Sequence, residues 1–466
     1  MPPIKLPEAF EARMKNFLGN NEFPEFVKAI EKDPRVSIRV NPAKNYKNQN
    51  SQNPVPWNRD GYYLEDRPSF TLDPLFHAGC YYVQESSSMF IQHILESVQV
   101  PRKGVFLDLA AAPGGKSTLL SSYLRGEGFL VANEVIKARA NVLKENSIKW
   151  GLGNILVTQN DPEHFRDLEG FFDLVLVDAP CSGEGMFRKD PEARNEWSEE
   201  HVNLCAARQE RIMDQAGALT KAGGYLIYST CTFNEKENED IVRFVCSEYA
   251  YEPVRIPLEP DWGIKETTIE TEDGNFYGYR FYPHLVEGEG FFVTVFKRPN
   301  DALVHEPKKS KDFKHPFIKA VGKQESQKLI ENLGLEKESS FYNLQDSFFW
   351  INSKYQQHFE YLTRYLNIKY FGVELGKYNK QQFIPNHEFA ISILPKTGFE
   401  TFDLDLKQSL QFLRKDDFEI EGLPEGWILV TYHKTPLGWI KNLGNRINNY
   451  YPKEWRIRMQ DHSKSL

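Results

Sequence analysis

From Val105 onward, short apolar segments alternate with segments of helical spacing, and this alternation constrains the fold more than any other feature of the chain. The predicted strands are residues 105–109, 129–133, 155–158, 174–177 and 225–229. Strands joined by helical crossovers form a parallel sheet with helices on both faces, so the sequence predicts a doubly wound α/β fold. Ligands bind such sheets outside the carboxyl ends of the strands, and the residues that follow each strand are therefore the first candidates for a site.

The chain outside this alternating region has other patterns. A length of 466 residues is too great for one core of typical size, so we expect two or three domains. Helical spacing followed by a short strand at residues 37–40 predicts a small leading subdomain. Residues 279–283 and 291–297 lack a helical crossover, which suits an antiparallel hairpin at the edge of the sheet. A polar, turn-rich stretch from Arg298 then marks a boundary, after which we expect a separate domain.

Composition excludes several classes of protein. With 40% hydrophobic and 26% charged residues, the chain is typical of globular proteins and unlike disordered ones. Its start is unlike a secretory signal, and no stretch approaches the roughly 20 apolar residues that cross a bilayer. The five cysteines are scattered, without CxxC pairs or zinc-ligand spacing, which argues against disulfide and metal frameworks. We therefore predict a cytoplasmic protein with no membrane segment and no metal.

A loop of small residues follows the first predicted strand. Its sequence from position 108 is Asp108, Leu109, Ala110, Ala111, Ala112, Pro113, Gly114, Gly115, Lys116 and Ser117. Such a loop lets a ligand approach bare backbone and the N-terminus of the next helix. The last three residues match the end of a P-loop, but that motif requires glycine where Ala110 stands, and Pro113 lacks an amide donor for phosphate. The loop therefore favours another ligand over a nucleoside triphosphate, with a purely structural turn as a further alternative.

Acidic residues stand at four of the predicted strand ends, namely Asp108, Glu134, Asp161 and Asp178. A carboxylate after the second strand of a doubly wound sheet can accept hydrogen bonds from both hydroxyls of a ribose. Taken singly, an acidic residue at this position is more often the N-cap of the following helix. The series of four at one edge nevertheless favours a crevice for an adenosyl cofactor.

Two cysteines also follow predicted strands. Cys181 lies in the sequence Asp178-Ala179-Pro180-Cys181-Ser182-Gly183, and Cys231 in Ser229-Thr230-Cys231-Thr232. An arbitrary free cysteine is usually a small buried hydrophobe, but these two stand in polar turns, unlike Cys80, Cys205 and Cys246. We expect both thiols in the cofactor crevice, although the residues alone do not rank them.

Two thiols beside a cofactor crevice suit methylation of cytosine at C5. C5 is a poor nucleophile until a thiolate has added at C6, and a thiolate adds and leaves readily. An acid that protonates N3 would stabilise this adduct, and Asp178 is placed for that task, whereas no residue is identified as the base that removes the C5 proton.

These motifs resemble those of the Sun-type (NOL/NOP/Sun) RNA cytosine-5 methyltransferases over about residues 35–298. The matching segments are Arg39-Val40-Asn41-Pro42, Tyr82-Val83-Gln84-Glu85, Pro113-Gly114-Gly115-Lys116, Asp178-Ala179-Pro180-Cys181-Ser182-Gly183 and Ser229-Thr230-Cys231-Thr232. The resemblance implies a Rossmann-like class I methyltransferase fold and S-adenosylmethionine as cofactor. It implies further that Cys231 is the nucleophile and that Cys181 assists product release. Cofactor contacts are implied for residues 110–116, Glu134, Asp161 and Asp178, to which we add Arg139 as a candidate.

The C-terminal third resembles the PUA-like RNA-binding extension of the bacterial small-subunit ribosomal RNA branch of this family. The resemblance rests on residues 371–376, 383–387, 436–441 and 448–453, and it implies an intervening domain before them. The predicted division is therefore 1–75, 76–298, 299–370 and 371–466. The net charge of −8 does not by itself indicate nucleic-acid binding, but residues 434–466 carry a net charge of +5 among aromatic side chains. A solvated charged face is the alternative interpretation.

The expected partner is RNA, either 16S rRNA or the assembled small subunit, and the expected state is a monomer. Three alternatives stay open. DNA cytosine-5 methyltransferases attack with the Pro-Cys cysteine, here Cys181, but their cofactor loop differs from the one in this chain. A tRNA cytosine-5 methyltransferase and a non-catalytic RNA-binding assembly factor are the other two.

Overall fold

The computed structural model describes residues 5–44, 46, 53–305, 313–417, 420 and 422–459. Its N-terminal unit combines one long helix with a small antiparallel sheet whose strands follow the order β2-β3-β1-β4. The elements are α1 (Glu8–Ile30), β1 (Ser37–Val40), β2 (Pro54–Val55), β3 (Asn58–Tyr63), α2 (Pro74–His77), β4 (Tyr81–Val83) and α3 (Phe90–Ser97). Gly19 has a φ of +74°, a conformation that favours glycine, and bends α1 in its middle.

The alternating region forms the largest sheet. Its elements are β5 (Val105–Asp108), α4 (Gly115–Tyr123), β6 (Phe129–Asn133), α5 (Lys137–Trp150), β7 (Ile155–Thr158), β8 (Phe172–Asp178), α6 (Ala193–Glu196), α7 (Glu199–Ala216), β9 (Thr220–Thr230), α8 (Glu239–Glu248), β10 (Glu252–Pro253), β11 (Lys265–Thr271), β12 (Gly274–Phe281) and β13 (Phe291–Lys297). Strands β9, β8, β5, β6 and β7 are parallel neighbours in that order, and β13, β12 and β11 continue the sheet antiparallel beyond β9. The predicted α/β fold and the antiparallel pairing of β12 with β13 are confirmed, but the edge of the sheet is formed by a further strand, β11, which the sequence did not indicate.

The strand order explains where a ligand can bind. From β5 the chain first moves outward through β6 and β7 and then returns to the other side of β5 through β8 and β9. This reversal opens a crevice at the carboxyl end of β5. The parallel strands are apolar and buried because helices cover both faces of the sheet, as for the fully buried residues of β5 and β6.

The remaining elements form two smaller sheets. The first part comprises β14 (Lys319–Ala320), α9 (Lys323–Leu333), β15 (Ser339–Leu344), β16 (Ser347–Asn352), α10 (Gln356–Leu362), β17 (Ile368–Phe371), β18 (Val373–Asn379), β19 (Gln382–Pro385) and α11 (His387–Ile391). The second comprises β20 (Glu400–Asp403), α12 (Leu406–Arg414), β21 (Gly426–Tyr432), β22 (Thr435–Asn442) and β23 (Ile447–Asn449). Strand β17 lies between β16 and β18 in the chain but does not join their sheet. It pairs antiparallel with β7 of the large sheet.

One difference from the predicted domain division concerns the boundary between residues 370 and 371. The five-stranded sheet, in the order β14-β15-β16-β18-β19, takes strands from both sides of that boundary. The basic C-terminal segment is described only to residue 459, so Asp461 and Lys464 lie outside the described residues. None of the described helices is long and apolar enough to cross a membrane.

The outer units pack against the large sheet and against each other. The aromatic rings of Phe10 and Phe26 in α1 share one buried cluster with Phe187 and Phe233 of the central unit. Strand β1 and the segment before β4 share a second cluster with α12, β21 and β22. The N-terminal unit is therefore held between the central and C-terminal units, close to the start of α4.

Candidate active site

Four parallel strands end at the predicted crevice. Asp108, the last residue of β5, lies opposite Ala132 in β6 and Leu176 in β8. Asp178, the last residue of β8, lies opposite Ser229 in β9. The register therefore brings the residues that follow these strands to one edge of the sheet.

The predicted cofactor loop connects β5 to α4. Ala110, Ala111, Ala112, Pro113 and Gly114 form the loop, and Gly115 and Lys116 begin the helix. Gly114 has a φ of +117°, which a residue with a Cβ rarely adopts. Two side chains of α5 hold the loop from outside, since Arg139 donates to the carbonyl of Ala112 (2.8 Å) and Asn146 to that of Pro113 (2.8 Å). The loop is thus fixed by side-chain contacts while its own residues stay small.

The carboxyl group of Asp108 lies buried under this loop. One oxygen accepts a hydrogen bond from the Ser117 hydroxyl (2.6 Å), and the other, Oδ1, has no partner among the described residues. Burial raises the pKa of Asp108 to about 7, although the Ser117 hydrogen bond opposes the shift. A buried oxygen without a partner is costly, so this position is suited to a hydrogen-bond donor from a ligand.

Glu134 and Asp161 follow the next two strands. Glu134 is buried, and its carboxylate accepts from the backbone N–H of Ile136 (2.9 Å) and lies 3.5 Å from Arg139. Asp161 caps the short 3-10 helix after β7 through the N–H of Glu163 (3.2 Å). Asp161 is therefore a helix N-cap, as the alternative interpretation expected, and it also follows the end of β7 at the crevice edge of the sheet.

These residues fit S-adenosylmethionine. Small side chains in the loop leave backbone open to a ligand, and Glu134 stands where a carboxylate accepts from ribose hydroxyls in doubly wound sheets. The unpartnered oxygen of Asp108 adds an acceptor in the same crevice. Among the described residues no group of three or more side chains is arranged to hold a metal ion.

The two cysteines meet on the other side of β5. The Sγ atoms of Cys181 and Cys231 lie 3.2 Å apart, and both side chains are partly exposed, whereas Cys80, Cys205 and Cys246 are buried. The hydrogen bond with Cys231 raises the pKa of Cys181 well above its usual value, and burial adds to the shift. The two thiols are therefore joined by one hydrogen bond, in which either sulfur can be the donor.

An ion pair stands beside the thiols. The Lys116 ammonium lies 2.9 Å from Oδ2 of Asp178, and the Ser229 hydroxyl donates to Oδ1 (2.8 Å). Burial alone would lower the pKa of Lys116, but the Asp178 carboxylate raises it above its usual value. Asp178 therefore accepts from two donors, Lys116 and Ser229, beside the thiols.

Two buried glutamates that the sequence analysis missed hold the cysteine loops. The carboxylate of Glu237 accepts from the N–H (2.7 Å) and hydroxyl (2.5 Å) of Ser182, from the Thr232 hydroxyl (3.1 Å) and from Gln209 (3.3 Å). It thus joins the residue after Cys181 to the residue after Cys231. Burial raises the pKa of Glu237, although the Ser182 hydrogen bonds oppose the shift. A glutamate in a polar loop gives no sequence signal of this role.

Glu184 is the second of these glutamates. Its carboxylate accepts from Arg13 of α1 (2.5 Å), from the indole of Trp197 (3.0 Å) and from the backbone N–H of Phe233 (3.1 Å). The N–H of the next residue, Gly185, donates to the carbonyl of Cys231 (2.8 Å). The N-terminal helix therefore reaches the cysteine loops through the Arg13–Glu184 ion pair, in addition to the packing of Phe26 against Phe233.

Comparisons with known proteins agree with this architecture. The family model described as 16S rRNA methyltransferase RsmB/F matches residues 97–297, the N-terminal domain of 16S rRNA methyltransferase RsmF matches residues 6–86, and the methyltransferase RsmF PUA domain matches residues 399–457. The ribosomal RNA small subunit methyltransferase F of Vibrio cholerae is 32% identical over 97% of this chain and 98% of the relative. The protein of the same name from Shewanella sp. (strain MR-4) is 31% identical over 92% of each chain.

A solved structure supports the fold. NSun6 from Pyrococcus horikoshii, solved with SFG, superposes with a TM-score of 0.51 at 20% identity. The superposition covers 63% of this chain and 99% of that one. At this identity the likeness is one of fold.

Proposed function

The chain belongs to the ribosomal RNA small subunit methyltransferase F family and is an S-adenosylmethionine-dependent RNA methyltransferase, and we propose that it methylates C5 of cytosine in 16S rRNA through a covalent adduct. In this proposal Cys231 is the nucleophile that adds to C6, and Cys181 assists release of the product. The observation that carries the proposal is the 3.2 Å contact between the two sulfur atoms next to the Lys116–Asp178 pair.

The first step needs a thiolate at C6 and a proton at N3. The electron pair of the Cys231 thiolate forms the S–C6 bond, and the electrons of the C5–C6 double bond move into the ring toward N3. The Lys116–Asp178 pair lies beside the thiols and is placed to deliver the proton that N3 takes up. The sequence analysis assigned this task to Asp178 alone, and the ion pair adds Lys116 to it.

The second step uses the enamine character that C5 has gained. S-Adenosylmethionine, when bound, supplies the methyl group as the electrophile. Transfer of the C5 proton to a base in solvent then re-forms the C5–C6 double bond and expels the sulfur of Cys231 as a thiolate, while the proton on N3 returns to the Lys116–Asp178 pair. The 3.2 Å contact between the sulfur atoms supports this assignment of roles, because a hydrogen bond donated by the Cys181 thiol would stabilise negative charge on Cys231 both before addition and after elimination.

Single substitutions of the cysteines test the roles. We expect Cys231→Ala to abolish both methyl transfer and adduct formation, because Cys181, the thiol beside it, is assigned to product release and not to attack at C6. We expect Cys181→Ala to form the adduct and accumulate it as a covalent protein–RNA complex, visible as a shifted band on a denaturing gel. An adduct in Cys231→Ala and none in Cys181→Ala would reverse the assignment.

The substrate is tested separately from the chemistry. The protein is incubated with labelled S-adenosylmethionine and, in parallel, naked 16S rRNA, assembled small subunits and tRNA. Transfer to cytosine in 16S rRNA, free or assembled, is expected, and bisulfite sequencing then locates the modified position. Transfer to tRNA alone would contradict the proposed substrate, and transfer to none of the three would support a non-catalytic binding factor.

The proposal also assigns tasks to the parts of the chain. Residues 76–298 carry the reaction, while 1–75 and 371–466 contact RNA, with 299–370 between them. The match of residues 399–457 to the RsmF PUA domain supports the second RNA-binding part. We propose that the protein acts as a monomer in the cytoplasm and without a metal ion.

A further inference from the structure

A cavity of 310 Å³ lies between the N-terminal unit and α5, outside the crevice that holds the thiols. Aromatic rings and cationic side chains share its wall, which includes Arg67, Phe70, Phe76, Tyr82, Asn146 and Lys149. We refer to it as the Tyr82 cavity. The reaction proposed above uses none of these six side chains.

The aromatic part of the wall offers flat faces to a planar ligand. Phe76 and Tyr82 are half-buried, and the Phe76 ring lies 6.2 Å from that of Phe70 between ring centres. The Lys149 ammonium stands 5.7 Å from the centre of the Phe76 ring. Unpaired RNA bases stack on such rings, and nearby cations neutralise the phosphates that accompany them.

Arg67 supplies the free cation at the mouth of the cavity. Its side chain is exposed, and it has no ion pair or hydrogen bond with any other described residue. Lys149, in contrast, is paired with Glu145 at 2.6 Å. A phosphate at the mouth would therefore find Arg67 available without breaking an existing contact.

Polar groups inside the cavity can read a base edge. The Asn146 amide nitrogen donates to the carbonyl of Pro113 (2.8 Å) and lies 3.4 Å from the Tyr82 hydroxyl. The amide oxygen of Asn146 and the hydroxyl proton of Tyr82 are left without partners among the described residues. The cavity wall thus carries one acceptor and one donor, which matches the mixed edges of nucleobases.

Two residues of the cavity wall contact the cofactor loop. Asn146 holds Pro113 of the cofactor loop, and a Cβ placed on Gly115 would lie 3.4 Å from the Tyr82 ring. RNA that occupies the cavity would therefore run directly past the loop. We propose that the Tyr82 cavity binds one unpaired nucleotide that flanks the target cytosine, with its base against Phe76 and Tyr82 and its phosphate at Arg67; this inference rests on the proposed RNA substrate.

Crosslinking tests the site directly. Full-length protein is irradiated with 16S rRNA that contains 4-thiouridine, digested, and analysed for crosslinked peptides by mass spectrometry. We expect crosslinks to Phe76 or Tyr82. Crosslinks confined to other parts of the chain would overturn the proposal, whether or not the protein transfers methyl groups.

Substitutions give a second, quantitative measurement. We expect Phe76→Ala to raise the KM for RNA about tenfold by removing a stacking surface. Arg67→Ala is expected to raise it about threefold and to reduce the salt dependence of RNA binding by about one phosphate contact. Because Arg67 is exposed, this variant is expected to fold even if Phe76→Ala does not.

Matched controls separate the cavity from the general charge of the protein. Arg243→Ala removes the same charge from an exposed position on α8 and is expected to leave the KM unchanged. Cofactor binding is measured in every variant by its effect on melting temperature and is expected to match the unsubstituted protein. If the unsubstituted protein methylates 16S rRNA and the KM for RNA of Arg67→Ala and Phe76→Ala equals that of the unsubstituted protein, the cavity proposal is refuted and the proposed function stands. Absence of transfer by the unsubstituted protein would instead refute the proposed function.

Discussion

The catalytic crevice has two halves that are built in different ways. The cofactor half lies at the ends of β5, β6 and β7, and its carboxylates accept hydrogen bonds from nearby in sequence: Asp108 from residue 117, Glu134 from residue 136 and Asp161 from residue 163. A longer-range ion pair, between Asp161 and Arg211, spans 3.7 Å and joins side chains that are both partly exposed. The thiol half lies after β8 and β9, and its buried carboxylates join distant segments. Glu237 is bonded to Ser182, 55 positions away, and Glu184 to Arg13, 171 positions away.

This difference shows that the thiol half depends more on the rest of the fold than the cofactor half does. A local hydrogen bond forms whenever the strand and the following turn form. A buried carboxylate that joins two loops costs free energy unless all its donors are in place, so it is stable only when the tertiary structure has assembled. We therefore expect substitutions in the thiol half to change the rate and those in the cofactor half to change cofactor affinity.

The largest effect is expected from Glu237→Ala. Loss of this carboxylate leaves the buried N–H of Ser182 without its acceptor and removes the link between the two cysteine loops, and small displacements of catalytic groups cost about 100-fold in rate. We expect kcat to fall by roughly that factor while S-adenosylmethionine affinity is kept. Single-turnover transfer and cofactor titration measure the two quantities. Glu235→Ala, at an exposed position of the same loop, is the control, and an equal loss there would contradict the role of Glu237.

A smaller effect, on affinity, is expected from Glu134→Ala. A hydrogen bond to a charged group contributes about 1.5–3 kcal/mol to the free energy of an interaction. Loss of the Glu134 carboxylate is therefore expected to weaken S-adenosylmethionine binding about tenfold or more. Calorimetric titration measures the dissociation constant. Glu163→Ala removes an exposed carboxylate nearby and is expected to bind normally. A fall in kcat with unchanged affinity would break the distinction between the two halves.

Asp108→Asn tests the buried acid of the cofactor half through pH. Burial raises the pKa of Asp108 from 3.8 to about 7, so the folded protein binds a proton more tightly than the unfolded chain between these values. The contribution of Asp108 to stability is therefore complete below about pH 4 and is lost as the pH rises to 7. We expect the free energy of unfolding of the original protein to fall over this range relative to the variant. Urea unfolding without cofactor, at a series of pH values, measures both free energies of unfolding. If their difference stayed constant from about pH 4 to pH 7, the raised pKa of Asp108 would be contradicted.

The smallest effect is expected from Arg13→Ala, which removes the ion pair of α1 with the thiol half and leaves the packing of Phe10 and Phe26 in place. Glu184 keeps its hydrogen bonds from Trp197 and Phe233, and Arg13 is partly exposed, so we expect kcat to fall only about threefold. Lys15→Ala, which removes a neighbouring exposed charge, should leave kcat unchanged. A loss as large as that of Glu237→Ala would show that α1 is essential to the cysteine loops.

Much of the fold could be predicted from the chain itself. The strands predicted at 129–133 and 155–158 match β6 and β7, because apolar residues that are buried on both faces mark the interior of a parallel sheet. Strand β17 could not be predicted as part of this sheet. It pairs with β7 from about 210 residues further along the chain, and no local pattern reports such a partner.

The sequence by itself determined the α/β alternation, the small-residue loop before α4 and the positions of Cys181 and Cys231 after their strands. These features are local, since periodicity and turn residues act over a few positions. Only the tertiary structure decided that the two sulfur atoms lie 3.2 Å apart, that Lys116 pairs with Asp178, and that Glu237 and Glu184 hold the cysteine loops. Those contacts join residues that are far apart in the chain, and burial, which makes each carboxylate require its donors, exists only after the strands and helices have packed.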